Sequence, residues 1–285
     1  MQNKNLKFAF FGTPYVASET LEILKQGGFL PSLIVTTPDK PQGRKMIITP
    51  SPVKVWAIKN NIPYLQPERL DEDFISKLAT YNCELFVVVA YGKILPEKLI
   101  FMPKLGTINI HYSLLPKYRG ASPVEACLLN GDTETGVTIQ KMEFKLDTGP
   151  IITQEEVSIS SEEKYSELIK RLIKNGADLL VKTLPDYVEG KISLISQKDE
   201  DATMCKKIQK EEGEINLNDD PIKNYNKFRA FDEWPRTYFF ARQSLGDGGF
   251  KDEKRFIITD AKLENGEFVI KRVIPEGGKE IDYKN

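Results

Sequence analysis

The sequence predicts an α/β protein: a mainly parallel sheet with helices, followed by a small, mainly β domain. Three observations predict it. Short apolar runs, Leu6–Phe11, Leu33–Thr37 and Glu84–Ala90, alternate with stretches of helical periodicity, the pattern of strands joined by crossover helices. The run ELFVVVA is apolar at consecutive positions, as a strand buried on both faces must be. Beyond Met204 the helical character gives way to short strand-like runs, Lys254–Ala261 and Glu267–Val273, joined by Glu264-Asn265-Gly266, a hairpin turn signal.

The elements follow in order. Leu6–Phe11 stops at Gly12-Thr13-Pro14, where Thr13 is expected to cap a helix opened by Pro14, with Leu21, Ile23 and Leu24 on its apolar side. A strand turning through glycine into a helix suggests a nucleotide-binding start, but no G-x-G-x-x-G is present, and an ordinary βα turn explains it equally well. The strand Leu33–Thr37 empties into a long proline-rich loop, Pro38–Lys54, with Ser51 as cap and Pro52 as first residue of the next helix. Lys40, Arg44, Lys45 and Lys54 against Asp39 give that loop a net charge of +3, which suits phosphate contacts or simply a solvated surface. Glu84–Ala90 ends in the turns Tyr91-Gly92 and Leu95-Pro96. After the next strand, Ser122-Pro123 starts a helix that stops at Gly131. Gly136–Lys145 and Ile151–Ile159 read as strands. Ser161 to about Gly190 reads as helix, with Leu168, Ile169, Leu172 and Ile173 at helical spacing and Gly176 as a possible break. Ile192–Met204 is polar and irregular, as a linker would be. The expected boundaries are therefore 1–191, a linker at 192–204, and 205–285.

The chemistry concentrates in GTINIHYSLLPKYRGASP, residues 106–123, which holds the only histidine of the chain, His111. In a strand, Thr107, Asn109, His111 and Ser113 share one face while Ile108, Ile110 and Tyr112 share the other. An amide and an imidazole then emerge side by side near the strand's C-terminal end, where ligands bind in open α/β sheets. Asp147, one helix and one strand later, is placed to return to the same sheet edge and to orient the imidazole if the connection is a βαβ crossover. Two blander readings remain open at this point: a structural histidine in a half-polar strand, and a turn-forming aspartate before Thr148-Gly149. An aspartic-protease reading of Asp-Thr-Gly lacks a second copy and all-β spacing.

Composition sets the outer limits. A length of 285 residues allows two domains, and 40% hydrophobic with 28% charged residues describes an ordinary globular chain. A net charge of −1 excludes wholesale polyanion binding, so any nucleic-acid contact has to be local. Cys83, Cys127 and Cys205 are scattered and form no CxxC, so neither a disulfide frame nor a cysteine zinc site is expected. No apolar run approaches the roughly 18 residues of a membrane helix, and the N-terminus lacks a signal peptide's apolar stretch. A cytoplasmic, membrane-free setting is expected.

Several runs together resemble the methionyl-tRNA formyltransferase family: FFGTPYVASETLEIL, TTPDKPQGRK with TPSPVK, VVVAYGKILP, GTINIHYSLLPKYRGASPV, GDTETGVTIQKM, LDTGPI, RAFDEWP and VIPEGGKE. The resemblance covers nearly the whole chain, and N-x-H-x-S-L-L-P with a later D-T-G is its most specific part. It implies a Rossmann-like catalytic domain followed by an OB-like barrel. It implies that Asn109, His111 and Asp147 are catalytic, and that Ser113, Leu114, Leu115 and Pro116, with the turn Val89, Ala90, Tyr91 and Gly92, bind folate. Arg44 matches the loop that meets the initiator tRNA, with Lys40 and Lys45 beside it. The formyl donor implied is 10-formyltetrahydrofolate, the partner initiator Met-tRNA, the state a monomer, and no metal is expected. In that chemistry Asn109, and His111 when protonated, donate to the developing oxyanion while Asp147 orients His111 and helps remove the amine's proton. Two departures stand out. Only QSLGDGGFKDE lies between Arg242 and Lys254, a shortened OB-like domain, and residues 205–285 carry 16 basic and 16 acidic side chains, net zero. Formylation of an amino sugar on a nucleotide, or folate or tRNA binding without catalysis, are the alternatives.

Overall fold

The computed structural model describes residues 6–43, 45–244 and 250–283. Its contacts divide the chain into two compact units. One takes the chain up to Arg119, Gly136–Val157 and Arg171–Thr203; the other takes Gly120–Thr135, Ser158–Lys170 and the chain from Met204 on.

The chain opens with β1 (Phe8–Gly12), α1 (Tyr15–Gln26), β2 (Leu33–Val35), a β3–β4 hairpin (Lys40–Gln42 and Ile47–Thr49), α2 (Pro52–Lys59), β5 (Tyr64–Leu65) and α3 (Glu72–Ala79). It continues with β6 (Leu85–Val89), α4 (Glu97–Ile100), β7 (Thr107–His111), β8 (Arg119–Gly120), α5 (Pro123–Asn130), β9 (Glu134–Lys141), β10 (Ile151–Ser158) and α6 (Tyr165–Val188). A seven-stranded sheet runs in the order β10-β9-β7-β6-β1-β2-β5. The strands β5, β2, β1, β6 and β7 pair parallel. Both β1 and β6 are buried at all five positions, which is why their sequences are apolar without alternation. Phe11, Phe86, Leu33, Val35, Val88, Leu78 and Leu99 form one core beside this sheet.

The caps divide. Ser51 caps α2 as expected, its hydroxyl accepting from the Lys54 N–H at 3.1 Å, and Gly131 closes α5 in the left-handed conformation (φ 72°). Thr13 does not cap α1: Pro14 holds the cap position, and the Thr13 hydroxyl donates instead to the Tyr91 carbonyl at 2.9 Å. Nor does Gly176 break α6. A Cβ there would lie 3.0 Å from both Ile110 and Val137 side chains, so the glycine lets the helix close on β7 and β9.

The Pro38–Lys54 stretch, expected as an irregular loop, contains the β3–β4 hairpin. The remaining departure concerns β9. The expected βαβ return does not occur, because β9 pairs antiparallel with β7, Ile108 opposite Lys141 and His111 opposite Thr138. The strand therefore starts near the His111 end and runs away from it.

The second unit carries α5, β11 (Met204–Cys205) and α7 (Pro221–Ala230), then an antiparallel sheet of β12 (Tyr238–Ser244), β13 (Phe250–Glu264), β14 (Glu267–Pro275) and β15 (Ile281–Asp282) in that order. Asn265 and Gly266 (φ 52° and 84°) make the two-residue turn between β13 and β14, the positive-φ pair whose twist matches that of the strands. Ile215, Tyr225, Phe228, Phe239, Ile258 and Val273 form its core. This is the small β domain that the sequence predicts.

Candidate active site

The chain leaves β1 for β2 and β5 on one side, then returns to β6 and β7 on the other. The order reverses between β1 and β6, which is where open α/β sheets leave a crevice at their C-terminal ends. The turns at that point are Gly12-Thr13-Pro14 and Ala90-Tyr91-Gly92, tied by the Thr13–Tyr91 hydrogen bond. Ala90 and Gly92 are exposed and left-handed (φ 47° and 80°), while Val89 and the Tyr91 ring are buried, the ring edge-on against Phe11 at 5.5 Å. Of the four residues expected to line a folate pocket here, Ala90 and Gly92 are thus exposed, while Val89 and Tyr91 are buried. Nothing stands within 4 Å of where a Gly92 Cβ would be, so the face of this turn is open.

His111 ends the next strand, 5% exposed. Its Nε2 lies 2.9 Å from the Tyr118 carbonyl. A carbonyl only accepts, so Nε2 carries the proton in the neutral ring. Nδ1 then faces Asp147 Oδ2 at 3.7 Å, too long for a direct hydrogen bond. Burial pushes the His111 imidazole below its ordinary value; the Asp147 charge and the Tyr118 carbonyl oppose this, and burial prevails.

The resting imidazole is therefore neutral, with Nδ1 open to accept a proton. A native state that resists protonation binds fewer protons than the unfolded chain below about pH 6.5, so this residue opposes folding increasingly as pH falls and contributes nothing above. Because the histidine is unique, one imidazole NMR signal reports it. Its native titration midpoint is expected below about 6.5. In urea denaturation, His111→Asn is expected to lose less stability than the parent between pH 7.5 and 5.5, the slope from one such group being at most about 1.4 kcal/mol per pH unit. A midpoint at or above the free-histidine value would contradict the neutral ring.

Asp147 reaches this place by a different route from the one the sequence suggested. After β9 the chain turns back through residues 142–149, and Asp147 sits in the left-handed conformation (φ 52°). Gln140, cross-strand partner of Asn109, donates from Nε2 to Asp147 Oδ1 at 2.8 Å, leaving Oδ2 toward His111. Asn109 is half-buried, and among the described residues no protein group holds its side-chain amide. Asn109, His111, Gln140 and Asp147 thus converge.

The Ser113–Pro116 segment is fixed by Thr138. That hydroxyl donates to the Ser113 carbonyl at 2.6 Å and accepts from the Leu115 N–H at 3.1 Å; the Gln154 amide bonds both it and the Leu115 carbonyl at 2.8 Å. Ser113 and Leu115 are buried and shape the segment, while Leu114 and Pro116 stay partly exposed. In the basic loop, Lys40 and Lys45 are exposed, and Arg44 lies outside the described residues. Lys54, counted with them in the sequence, is instead paired with Asp39 at 2.6 Å, and Gln66 holds the other Asp39 oxygen at 2.7 Å. The pair cancels within the loop, so its net charge of +3 rests on Lys40, Arg44 and Lys45.

Thr138, Gln140, Gln154 and Tyr118 were missed by sequence reasoning. Alternation along β9 puts Thr138 and Gln140 on one face, a usable signal once the strand is recognised. No pattern marks Gln154 or the Tyr118 carbonyl. Among the described residues no group of three His, Cys, Asp or Glu side chains is arranged to hold a metal ion, and no helix is long and apolar enough to cross a membrane.

The fold and this polar cluster define a formyl transferase: the family model of that description matches residues 6–184. The chain is 42% identical over 234 residues to a methionyl-tRNA formyltransferase of Halalkalibacterium halodurans, covering 82% of this chain and 74% of the relative. It is 38% identical over 287 residues to that of Listeria innocua, covering 96% and 92%. The chain belongs to the methionyl-tRNA formyltransferase family. Its fold also matches the N-formyltransferase of Helicobacter canadensis, solved with folinic acid and dTDP-3-aminofucose, with a TM-score of 0.64 at 18% identity over 97% of this chain and 100% of that one.

Proposed function

We propose that the protein transfers the formyl group of 10-formyltetrahydrofolate to the α-amine of methionine esterified to initiator tRNA, acting in the cytoplasm as a monomer. The convergence of Asn109, His111 and Asp147 beside the sheet's switch point carries the reading. The exposed, left-handed Ala90–Gly92 turn, with open space above Gly92, suits the flat ring of a pterin, and the fixed Ser113–Pro116 segment supplies a second wall. Lys40, Arg44 and Lys45 are the candidates for tRNA phosphates. In domain terms, residues 1–191 carry the chemistry, 192–204 connect, and 205–285 supply the shortened OB-like part.

The bound donor supplies an electrophilic formyl carbon. Asn109 donates a hydrogen bond to the oxygen that becomes negative as the amine's lone pair forms the new C–N bond. His111 takes the amine's proton on Nδ1, and Asp147 stabilises the imidazolium. As the carbonyl re-forms and the bond to folate N10 breaks, His111 returns the proton to that nitrogen. This revises the part expected of His111, because a neutral buried ring is a better proton acceptor than an oxyanion donor.

A formylation assay tests the reading. With 10-formyltetrahydrofolate, charged initiator tRNA is expected to be formylated and nucleotide-linked amino sugars are not. Turnover of the sugars alone would transfer the protein to the sugar-formylating branch that its fold also matches.

A further inference from the structure

The segment expected to be a bare linker is bonded to the Asp147 loop and to the Tyr118–Arg119 loop that holds His111. Gln197 Nε2 donates to two carbonyls in the Asp147 loop, that of Asp147 at 2.9 Å and that of Gly149 at 2.7 Å. Its Oε1 accepts from Arg119 Nε at 3.0 Å. Arg119 is 5% exposed and directs Nη1 to Asp199, in the same segment, at 2.8 Å. Six residues beyond Gln197, Thr203 accepts the Tyr118 N–H on Oγ1 and the Arg119 N–H on its carbonyl, both at 2.8 Å, and its own N–H reaches the Pro116 carbonyl at 3.3 Å. Tyr118 is the residue whose carbonyl holds His111. The path from His111 through Tyr118, Arg119 and Gln197 to Asp147 therefore closes on itself across the 3.7 Å gap.

We propose that Gln197 is a positioning residue for the formyl transfer, setting the separation of His111 and Asp147 by holding the Asp147 loop and the Tyr118–Arg119 loop in register. The inference rests on the reading of His111 and Asp147 as the catalytic pair. Covalent connection alone leaves the two loops free to drift, since 36 residues separate His111 from Asp147 in the chain. One amide with three hydrogen bonds links them directly. Gln197 is itself only half-buried and touches no reacting atom, so its loss leaves the core intact.

The test compares Gln197→Met, which keeps the bulk and removes the hydrogen bonds, with Gln197→Ala and with His111→Ala in the same assay. Displacing a reacting group by about 1 Å costs on the order of 10²-fold in rate, so both Gln197 variants are expected to lose about 10- to 100-fold in kcat. KM for the formyl donor and for charged tRNA is expected to stay within about twofold, because binding contacts are untouched. The single imidazole NMR signal is expected to move in Gln197→Met while circular dichroism and the unfolding transition stay near those of the parent. A parental kcat with an unmoved imidazole signal in Gln197→Met, alongside an inactive His111→Ala, overturns the positioning role and leaves the catalytic pair standing. Full turnover in His111→Ala overturns the catalytic pair and this inference with it.

Discussion

His111→Ala is expected to fold and to lose turnover by about 10²-fold or more, the scale of a lost general base. The ring is buried, but among the described residues only the Tyr118 carbonyl bonds it directly, and that group sits on the loop after β7. Removing the imidazole thus takes one hydrogen-bond donor from that carbonyl, a cost of about 1–3 kcal/mol at most, which a domain with a separate apolar core tolerates. Asn109→Ala is expected to lose about 10²–10³-fold, the usual effect of removing one oxyanion donor. Its amide holds no protein group among the described residues, so its stability cost should be smaller still. Steady-state formylation of charged tRNA, with circular dichroism for folding, reads both. Near-parental rates in folded His111→Ala would remove the proton-transfer role.

Gly149→Ala is expected to cost more in stability than any other substitution considered, about 3 kcal/mol or beyond, at or above the upper range for overpacking. A Cβ at this position would lie 1.7 Å from the Lys141 carbonyl oxygen and 2.9 Å from its carbon. These are backbone atoms that no rotamer change can clear. Lys141 pairs with Ile108 on β7 and donates its own N–H to the Pro150 carbonyl at 2.9 Å, so the strain has to displace a strand end or the Asp147 loop. Because the Gly149 carbonyl is also one of the two that Gln197 holds, displacement of the loop should take Asp147 with it. Urea denaturation is expected to give a much lower midpoint, and the folded fraction should formylate poorly. A variant with parental stability and rate would mean that the two backbones separate at little cost.

These three substitutions probe different origins of the site. The apolar runs of β1 and β6, the Ser51-Pro52 start of α2 and the Asn265-Gly266 turn are each dictated within a few residues, and each forms where local chemistry places it. The N-x-H spacing puts Asn109 and His111 on one face of β7 for the same reason: a strand alternates whatever surrounds it.

What the sequence determined by itself was therefore the set of elements, the amide–imidazole pair at the end of one strand, and the family its motifs resemble. The tertiary structure alone decided that β9 runs antiparallel, that Asp147 comes back by a turn rather than a crossover, that the Tyr91 ring faces the core, and that Asp39 takes up the charge of Lys54. It also decided that an irregular polar stretch bonds the Asp147 loop to Arg119 through Gln197. Strand direction leaves no trace in hydrophobic period, and a hydrogen bond between residues 78 apart, as from Arg119 to Gln197, depends on where the packed sheet brings donors and acceptors together rather than on any neighbour in the chain.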